Sequence, residues 1–357
     1  MIKIIQIVAT LGIGGAEKMV VDLATHLPRD KYQVKVVAVV RGGILAEKLL
    51  QQGIEVKIIG KSTKLGLGTL WRLYQYLKAE QPDIIHTHLF GADTYGRLAA
   101  WLARRDGKPI IISTEHSLNY QEGKIKKWLK YRLAKVTQRI VAVSQAAKGY
   151  SVQVEKIEPN KISVIHNGVK MAKLEKQRQH NRLIIGSISR LERDKGYTYL
   201  IKALDRIREL NWECWLVGDG ADRGRLEDLA RRSDLDHRIK FFGWQLDIKR
   251  YLEQMDIFVL PSLEEGLSIA LIEAGLAGLP VVATRVGGIP EVVLPNQTGI
   301  LVPAKDEKNL AQALRQLILD PELRKSLGLQ GQALTKEKFG LETMISEYQK
   351  LYESFIS

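Results

Sequence analysis

Short apolar runs alternate with segments of helical periodicity along the chain. A short apolar run is typical of a buried strand, and apolar residues about three to four positions apart are typical of a helix packed on a core. Strands that alternate with helices form parallel sheets covered on both faces, so the first half of the chain is predicted to be an α/β domain. In this half the predicted strands cover residues 2–9, 34–40, 56–59, 84–86, 110–114, 140–143 and 162–165, and the predicted helices cover residues 16–27, 45–52, 69–79, 94–103 and 124–139.

The same alternation starts again after a polar stretch. Residues 171–182 hold little that a core could bury, and we interpret them as a linker. Two similar sheets joined by one linker leave a cleft at the carboxyl ends of their strands, where such folds bind ligands. We therefore predict two Rossmann-like domains, residues 1–170 and 183–340, that face each other across a cleft. In the second domain the predicted strands cover residues 183–188, 214–217, 239–242, 258–260 and 281–283, and the predicted helices cover residues 198–209, 223–232, 248–255, 267–277 and 309–318.

Length and composition place the chain among globular proteins. Its 357 residues fit two domains, and 45% of them are hydrophobic. The single cysteine, Cys214, excludes an internal disulfide and favours a reducing compartment. No apolar stretch approaches the roughly 18 residues that span a bilayer, and residues 2–9 run directly into glycines rather than a signal-peptide cleavage site. We predict a cytoplasmic protein associated with the inner face of the cytoplasmic membrane.

The net charge of +14 comes from the first half of the chain. Residues 1–170 hold 27 lysines and arginines against 13 acidic residues, whereas residues 171–357 hold 27 of each kind. A basic half indicates an anionic partner, such as a nucleic acid, an acidic lipid surface or a phosphorylated acceptor. Charge retained only for solubility is the alternative.

Two glutamates follow a predicted strand that stops at Pro261. Glu265 lies on the loop after the strand, and Glu273 lies within two turns of a helix predicted to start near Leu267. The free N–H groups of a helix N-terminus can hold a phosphate, while carboxylates on either side of it accept hydrogen bonds from hydroxyls. This combination suits a sugar nucleotide. The alternative is a capping glutamate and a solvated helix residue.

A glycine-rich loop joins the first predicted strand to the first helix. Gly12, Gly14 and Gly15 let the backbone approach a phosphate at the helix N-terminus. The loop is not the dinucleotide-binding fingerprint, because Glu17 occupies its last glycine position and no acidic residue ends the second strand. A dehydrogenase is therefore disfavoured, and a tight turn without a ligand is the alternative.

A pair of cations follows the first strand of the second domain. A guanidinium, here Arg190, binds two phosphate oxygens at once, and an ammonium, here Lys195, acts as a compact point charge. Together they are predicted to neutralise a diphosphate leaving group. Surface charge is the alternative for either residue alone.

Six motifs stand in one order along the chain, and together they are far more specific than each alone. The motifs are Gly-Gly-Ala-Glu at 14–17, Ser-Arg-Leu-x3-Lys-Gly at 189–196, Leu-Val-Gly-Asp-Gly at 216–220, Phe-Gly at 242–243, Glu-x7-Glu at 265–273 and Leu-Pro-Val-Val-Ala-Thr-Arg-Val-Gly-Gly-Ile-Pro-Glu at 279–291. In this order they make the sequence resemble the retaining glycosyltransferases of family 4, which have the GT-B fold, over essentially its whole length.

The resemblance implies roles for the matching positions. Glu265 would bind hydroxyls of the donor sugar, and Glu273 would bind the ribose of the nucleotide. Arg190 and Lys195 would bind the diphosphate, and His116 matches the active-site histidine near the reacting sugar. The other donor-binding positions are Gly14, Gly15, Gly266, Leu267 and Ser268.

The resemblance also bears on the organisation of the chain. The first domain would bind the acceptor, the second would bind the donor, and the last segment, residues 341–357, would return to the first domain. Many relatives have an aromatic residue where this chain has Leu267, which leaves the preferred donor sugar open.

The implied reaction uses a UDP-linked or GDP-linked sugar as co-substrate and no cofactor. The diphosphate leaves through an oxocarbenium-like state while Arg190, Lys195 and the helix N-terminus stabilise the departing charge. Attack by the acceptor hydroxyl on the same face is favoured, and a double displacement stays open. Asp234-Leu235-Asp236 looks like the metal-binding motif of another glycosyltransferase fold, but it lies in a polar loop before a strand, so we predict no metal.

Two histidines end a strand of the first domain. His86 and His88 lie on the same face of this strand at a spacing that could bind zinc. No cysteine or carboxylate cluster completes such a site nearby in sequence. Roles in the core or in lining the cleft are therefore favoured.

A basic helix is predicted at residues 124–139. At helical spacing its apolar residues share one stripe that must face the core, while its aromatic residues lie among the cations. Aromatic residues on a basic face suit a lipid headgroup layer or a lipid pyrophosphate, and a solvated basic helix is the alternative. The predicted stripe is Ile125, Leu129, Leu133, Val136 and Ile140, and the predicted acceptor and membrane residues are Lys124, Lys126, Lys127, Trp128, Lys130 and Tyr131.

The sequence therefore predicts a retaining, metal-independent glycosyltransferase that acts on a glycan or a polyprenyl-diphosphate-linked acceptor in cell-surface polysaccharide, lipopolysaccharide or glycolipid synthesis. A nucleotide-sugar epimerase or a phosphorylase of the same fold is the first alternative. A nucleic-acid-binding protein would explain the basic half but not the paired glutamates, and no nucleic-acid recognition motif is found, so no nucleic-acid partner is predicted.

Overall fold

The computed structural model describes residues 1–60, 66–116, 118, 123–170 and 181–356, without the side chain of Phe90. The chain forms two compact units. The first unit comprises Met1–Gly168 and Leu341–Ser357, and the second comprises Val169–Gly340. Most of the segment interpreted as a linker, residues 171–180, lies outside the described residues.

The first unit is built on a seven-stranded parallel sheet. The strand order β3-β2-β1-β4-β5-β6-β7 shows that the direction of chain progression reverses between β1 and β4. The strands are β1 (Ile2–Thr10), β2 (Tyr32–Arg41), β3 (Glu55–Ile58), β4 (Ile84–His88), β5 (Ile110–Glu115), β6 (Arg139–Ala142) and β7 (Ile162–Val164), and the helices are α1 (Gly15–His26), α2 (Ile44–Gln51), α3 (Leu67–Glu80), α4 (Phe90–Ala103), α5 (Lys124–Val136) and α6 (Gln145–Gln153).

Both faces of this sheet are buried, each under different helices. Ile4 and Val8 of β1 lie in a core with α1, whereas Ile5 and Ile7 lie in a core with α3 and α4. Alternate residues of a strand point to opposite faces, so a continuous apolar run supplies both cores. The last helix of the chain, Leu341–Glu353, packs in the same core as α1, although it follows the second unit in sequence.

The second unit is built on a six-stranded parallel sheet in the order β10-β9-β8-β11-β12-β13. Here the chain progression reverses between β8 and β11. The strands are β8 (Leu183–Ile188), β9 (Trp212–Val217), β10 (Ile239–Gly243), β11 (Ile257–Leu260), β12 (Val281–Thr284) and β13 (Gly299–Val302), and the helices are α7 (Tyr197–Asp205), α8 (Arg223–Arg232), α9 (Lys249–Leu252), α10 (Ile269–Leu276), α11 (Ile289–Val292), α12 (Glu307–Leu319) and α13 (Pro321–Lys338), after which α14 (Leu341–Glu353) rejoins the first unit.

Every predicted strand and helix has a counterpart in the structure, but α6, α11, α13 and β13 were not predicted. The 18-residue helix α13 was not predicted because its buried face includes Gly328, Gly331 and Thr335, which add nothing to an apolar period. A Cβ on Gly328 would lie 2.3 Å from the carbonyl oxygen of Gly278, so close backbone packing sets this face. The start signal was present, because Asp320 caps the helix and Pro321 is its first residue.

Candidate active site

The loops that follow β8 and β11 lie side by side in the second unit. Because β8 and β11 are neighbouring parallel strands, their carboxyl ends meet at one edge of the sheet. The N–H of Leu263 donates to the carbonyl of Asp194 at 2.6 Å and ties the two loops together. This edge is where the chain order reverses, which is the place where open α/β sheets bind ligands.

Gly196 allows the two loops to approach so closely. Its φ of +68° lies in the left-handed region, and a Cβ there would lie 2.0 Å from the carbonyl oxygen of Pro261. A side chain at this position would strain the backbone and push the loops apart. The Lys-Gly of the sequence motif is thus explained, because the glycine permits the contact that brings Lys195 to the loop after β11.

Lys195 and Glu265 form an ion pair between these loops. The Nζ of Lys195 lies 2.9 Å from Oε2 of Glu265 and 3.4 Å from a carboxylate oxygen of Asp194, and the hydroxyl of Ser262 donates to the same Glu265 oxygen at 3.2 Å. Both side chains of the pair are mostly buried. Burial alone would lower the pKa of Lys195, but the charges of Glu265 and Asp194 outweigh it and raise the pKa above its ordinary value. Lys195 is therefore a fixed cation at neutral pH.

Arg190 lies on the same loop as Lys195 and is exposed. Its charge acts to lower the pKa of Lys195, so the two cations lie within electrostatic range of each other. The N–H of Leu191 donates to the carbonyl of Asp219 at 2.9 Å, which anchors the loop on the one that follows β9. The structure thus brings the two predicted phosphate ligands to one edge of the sheet.

The segment from Gly266 to Ser268 is buried and leads into α10. The helix begins at Ile269, two residues after the predicted start, because the Ser268 hydroxyl accepts from the N–H of Leu271 and caps it. Glu273 is half-buried about one turn inside the helix. The N–H of Gly288 donates to the Glu265 carbonyl at 3.1 Å, so the backbone of Glu265 is also held from the loop after β12.

Gly14 and Gly15 lie where predicted, between β1 and α1 in the first unit. Gly14 has extended backbone, and Gly15 is the first residue of the helix. A Cβ on Gly14 would lie 2.3 Å from Oε2 of Glu17, and the Thr10 hydroxyl donates to the other Glu17 oxygen at 3.5 Å. The Glu17 carboxylate therefore occupies the space beside the loop, next to the groups that would receive a phosphate.

His116 follows β5 and contacts a second histidine that the sequence did not assign to the site. Its Nε2 lies 3.2 Å from Nδ1 of His88, whose Nε2 lies 2.6 Å from the amide oxygen of Gln6. Burial lowers the pKa of His116 to about 4 and the pKa of His88 far below its ordinary value. Both rings are neutral near pH 7. This contact could have been predicted from Gln6, a polar residue inside the apolar strand β1.

His86 and His88 lie on one face of β4 as predicted, with ring centroids 4.1 Å apart. Each of their four ring nitrogens has a protein partner, since Nδ1 of His86 lies 2.7 Å from the Tyr352 hydroxyl and Nε2 lies 2.7 Å from the Thr114 hydroxyl. Burial and, to a smaller extent, the charge of His116 lower the pKa of His86 to about 3. Both rings are buried in the first unit, with His88 also in contact with His116, and this burial agrees with the core role favoured for this spacing.

The prediction that Lys130 belongs to the acceptor and membrane residues of the basic helix is wrong. Its ammonium is buried and lies 2.7 Å from Glu155 and 3.3 Å from Glu115, the residue before His116. It is therefore a structural cation of the first unit and not part of an exposed basic face.

Burial raises the pKa of Glu115 to about 7, and the charge of Lys130 limits the rise. Next to Glu115 lies a second buried cation, Arg97, whose guanidinium binds Asp93.

Ile125 was also predicted wrongly, because its side chain is 82% exposed instead of core-facing. It lies in the first turn of α5, where residues 124–126 are all exposed. Trp128 and Tyr131 are exposed as predicted, and each has a cation over its ring, from Arg132 and Lys135 respectively. Of the predicted lysines, Lys124 and Lys126 are exposed and Lys127 is half-buried.

Asp234, Asp236 and His237 form the exposed cluster that contains the Asp-x-Asp sequence. One possible ligand atom from each lies within 4.8 Å of the others. The cluster precedes β10, so it lies at the amino ends of the parallel strands. Lys195 and Glu265 lie at the opposite edge of the same sheet.

Among the helices in the described ranges, none combines the length and the apolarity that crossing a bilayer requires.

Two family models match the chain. The model described as Glycosyltransferase Family 4 matches residues 13–173, and the model described as Glycosyl transferases group 1 matches residues 170–333. An Escherichia coli protein named UDP-Gal:alpha-D-GlcNAc-diphosphoundecaprenol alpha-1,3-galactosyltransferase is 31% identical over 278 residues, 71% of each chain. The chain belongs to glycosyltransferase family 4.

Other comparisons agree with this membership of family 4. The lipopolysaccharide core biosynthesis glycosyltransferase LpsD of Rhizobium meliloti strain 1021 is 27% identical over 95% of each chain. Anabaena HepE, solved with UDP-glucose, superposes with a TM-score of 0.89 at 24% identity, over 99% of this chain and 100% of that one. The superposition confirms the predicted GT-B fold, and the family confirms that the protein is a glycosyltransferase.

Proposed function

We propose that this glycosyltransferase moves one sugar from a UDP-linked or GDP-linked donor to a lipid-linked or glycan acceptor, with retention at the anomeric carbon and without a metal ion. The family relatives support this proposal. The E. coli relative is named for a UDP-galactose donor and a diphosphoundecaprenol-linked acceptor, and LpsD is named for lipopolysaccharide core synthesis.

The ion pair of Lys195 and Glu265 is the observation that carries the proposal. A diphosphate that leaves a sugar needs cations already in place, because preorganised charges cost little reorganisation as the bond breaks. Lys195 is held in place by Glu265, and Arg190 on the same loop is open to solvent. Glu265 has a second carboxylate oxygen, which suits the hydroxyls of the donor sugar.

The cation pair also supports metal independence. In metal-dependent sugar transfer a divalent ion neutralises the diphosphate, and here two side chains at the ligand-binding edge of the sheet have that role. The Asp-x-Asp aspartates lie at the other edge, far from these residues in the sheet.

The family resemblance supports retention, and the nature of His116 bears on which of two retaining routes is used, same-face attack or a double displacement. A neutral histidine offers the sugar a hydrogen bond, whereas a double displacement would need a nucleophile that attacks the anomeric carbon. We favour attack by the acceptor hydroxyl on the face from which the diphosphate leaves, with Arg190 and Lys195 holding the departing group.

The outer surface of the first unit supports a membrane-bound acceptor. Trp128 and Tyr131 of α5 are exposed among lysines, and Trp71 of α3 and Trp101 of α4 are 61% and 48% exposed. α4 packs against both α3 and α5. Exposed aromatic side chains on a basic surface suit the headgroup layer of an anionic membrane.

The test is a panel of nucleoside diphosphate sugars incubated with the protein and a membrane lipid extract, with release of free nucleoside diphosphate as the readout. We expect release with one donor, dependent on the extract, and a product whose anomeric configuration by proton NMR matches the donor. Inversion would overturn the retaining mechanism. Failure of every UDP-linked and GDP-linked sugar would overturn the donor class.

A further inference from the structure

Seven side chains form a continuous hydrogen-bonded chain inside the first unit. It starts at the half-buried His116 and runs through buried groups to the last helix, α14. The successive distances are 3.2 Å from His116 Nε2 to His88 Nδ1, 2.6 Å from His88 Nε2 to Gln6 Oε1, 3.2 Å from Gln6 Nε2 to the Tyr352 hydroxyl, 2.7 Å from that hydroxyl to His86 Nδ1, 2.7 Å from His86 Nε2 to the Thr114 hydroxyl and 3.2 Å from there to the Tyr348 hydroxyl.

Gln6 sets the direction of donation along this chain. Of the seven groups, only its amide has one end that can only donate and one that can only accept. The amide oxygen faces His88, so Nε2 of His88 carries a hydrogen and donates it. In a neutral imidazole the other nitrogen is then an acceptor, and Nε2 of His116 must donate to it.

The other half of the chain agrees with this direction. The amide nitrogen of Gln6 donates to the Tyr352 hydroxyl, which is then free to donate its own hydrogen to His86 Nδ1. His86 donates from Nε2 to Thr114, and Thr114 donates to Tyr348. Each group between the two ends accepts once and donates once. Rotating the amide by half a turn would reverse the direction of donation in every hydrogen bond of the chain, including the bond to His116.

We propose that Gln6 and His88 are positioning residues that hold His116 as the Nε2–H tautomer, which leaves the lone pair of its Nδ1 to accept a hydrogen bond from the substrate. The inference rests on the proposed function in one respect, that His116 contacts the sugar. Because burial keeps both histidines neutral, the tautomer decides which edge of the ring donates and which accepts. Because Tyr352 of the last helix accepts from the Gln6 amide, this helix also takes part in determining which edge of the His116 ring donates and which accepts.

The tautomer is measurable in the intact protein. Full-length protein labelled with 15N-histidine gives long-range proton–nitrogen correlations that distinguish protonated from unprotonated ring nitrogens. Near neutral pH we expect His116 and His88 both as Nε2–H tautomers. Finding His116 as the Nδ1–H tautomer would show that the chain runs the other way and would overturn the proposal.

Two matched variants test the role of Gln6. Tyr352→Phe removes the hydrogen-bond partner of the amide nitrogen of Gln6 and separates Gln6 from the rest of the chain, so the His116 signals should change to those of a tautomer mixture. Tyr348→Phe removes one hydroxyl from the same helix at the far end of the chain, and it should leave the Nε2–H tautomer of His116 in place. An unmixed Nε2–H tautomer in both variants would contradict the role of Gln6.

Kinetics separate positioning from stability. Gln6→Met keeps the size of the side chain but removes its polar ends, and we expect kcat to fall about tenfold while the KM for the donor changes by less than about twofold. Unchanged kcat in folded Gln6→Met protein would overturn the proposal. The NMR readout does not depend on turnover, so an unexpected tautomer and a failure of nucleotide-sugar turnover are distinguishable results.

Discussion

The ammonium of Lys195 lies 2.9 Å from the carboxylate of Glu265, across two loops that are 70 residues apart in sequence. The residue proposed to bind the diphosphate and the residue proposed to bind the sugar therefore hold each other in place. A mostly buried pair of this kind costs free energy when one partner is removed, because the other charge stays behind without compensation. Substitutions at either residue should thus affect both turnover and stability.

Removal of the site residues should slow the reaction. Lys195→Ala, Glu265→Ala and Glu273→Ala should each lower kcat/KM at least about tenfold, roughly 1.4 kcal/mol of barrier, in the diphosphate-release assay. Lys202→Ala, at an exposed position on α7, is the matched control and should retain the wild-type rate. Wild-type rates in all three site variants would refute the assignment.

Metal chelation should leave turnover unchanged. If Arg190 and Lys195 neutralise the diphosphate, an excess of EDTA should not lower the rate, and added magnesium should not raise it. The matched variant is Asp234→Asn/Asp236→Asn, which removes the exposed acidic cluster and should retain activity. A rate that chelator abolishes and magnesium restores would contradict metal independence.

The surface of the first unit that exposes Trp71, Trp101, Trp128 and Tyr131 should bind anionic vesicles. Lys124→Glu/Lys127→Glu should weaken sedimentation with phosphatidylglycerol vesicles at low salt by at least about tenfold, since each cation near such a surface contributes on the order of 1 kcal/mol. Trp71→Ala/Trp101→Ala should weaken it as well. Lys336→Glu/Lys338→Glu makes the same charge change at exposed positions of α13 and should bind like wild type.

Two outcomes of that experiment would contradict membrane docking. One is equal binding of all variants to the vesicles. The other is salt-sensitive binding to duplex DNA, lost in Lys124→Glu/Lys127→Glu, by a protein that does not sediment with vesicles, and this outcome would favour a nucleic-acid partner.

Acid should destabilise the first unit through its buried histidines. The pKa values of His86 and His116 are lowered to about 3 and about 4, so between pH 6.5 and pH 4 the unfolded chain binds protons that the folded chain does not. The pKa of His88 is lowered as well. Stability contributed by these rings is complete above pH 6.5 and is lost as the pH falls below it.

Glu115 opposes this trend, because its raised pKa of about 7 makes the folded state hold an extra proton between pH 4.5 and pH 7. With three histidines against one carboxyl, the unfolded chain binds about two protons more than the folded chain. The free energy of unfolding therefore falls by roughly 3 kcal/mol per pH unit at most as the pH is lowered. Urea unfolding at pH 6 and pH 5 measures this fall. Glu115→Gln should steepen the loss, and a stability that is flat or rises toward acid would contradict the burial of the rings as neutral species.

Lys130 should matter for stability where Lys124 does not. Lys130→Ala leaves Glu155 buried without its cation, and we expect a loss of about 3 kcal/mol in the free energy of unfolding. Lys124→Ala, at an exposed position on the same helix, should cost less than about 0.5 kcal/mol. Equal stability of the two variants would show that Lys130 is not the structural cation described above.

The sequence by itself determined the elements and the loops that carry the chemistry. An apolar run or a helical period is a local property, and a glycine, lysine or glutamate at a strand end follows its own element wherever the sheet places it. The two sheets, the Lys195 loop and the Glu265 loop could therefore be predicted. Helix α13 shows the limit, because glycine and threonine form much of its buried face and leave little apolar signal.

Only the tertiary structure decided which polar side chains meet. Lys130 looks like any lysine of a basic helix, and its burial depends on Glu155, a residue of the loop that follows α6. Gln6 and His88 lie on β1 and β4 and His116 directly follows β5, and their contact exists because these three strands are neighbours in the sheet. Hydrophobic patterning sorts residues into inside and outside, but a hydrogen bond acts over about 3 Å, so its partner is fixed only when the strands have taken their order and register.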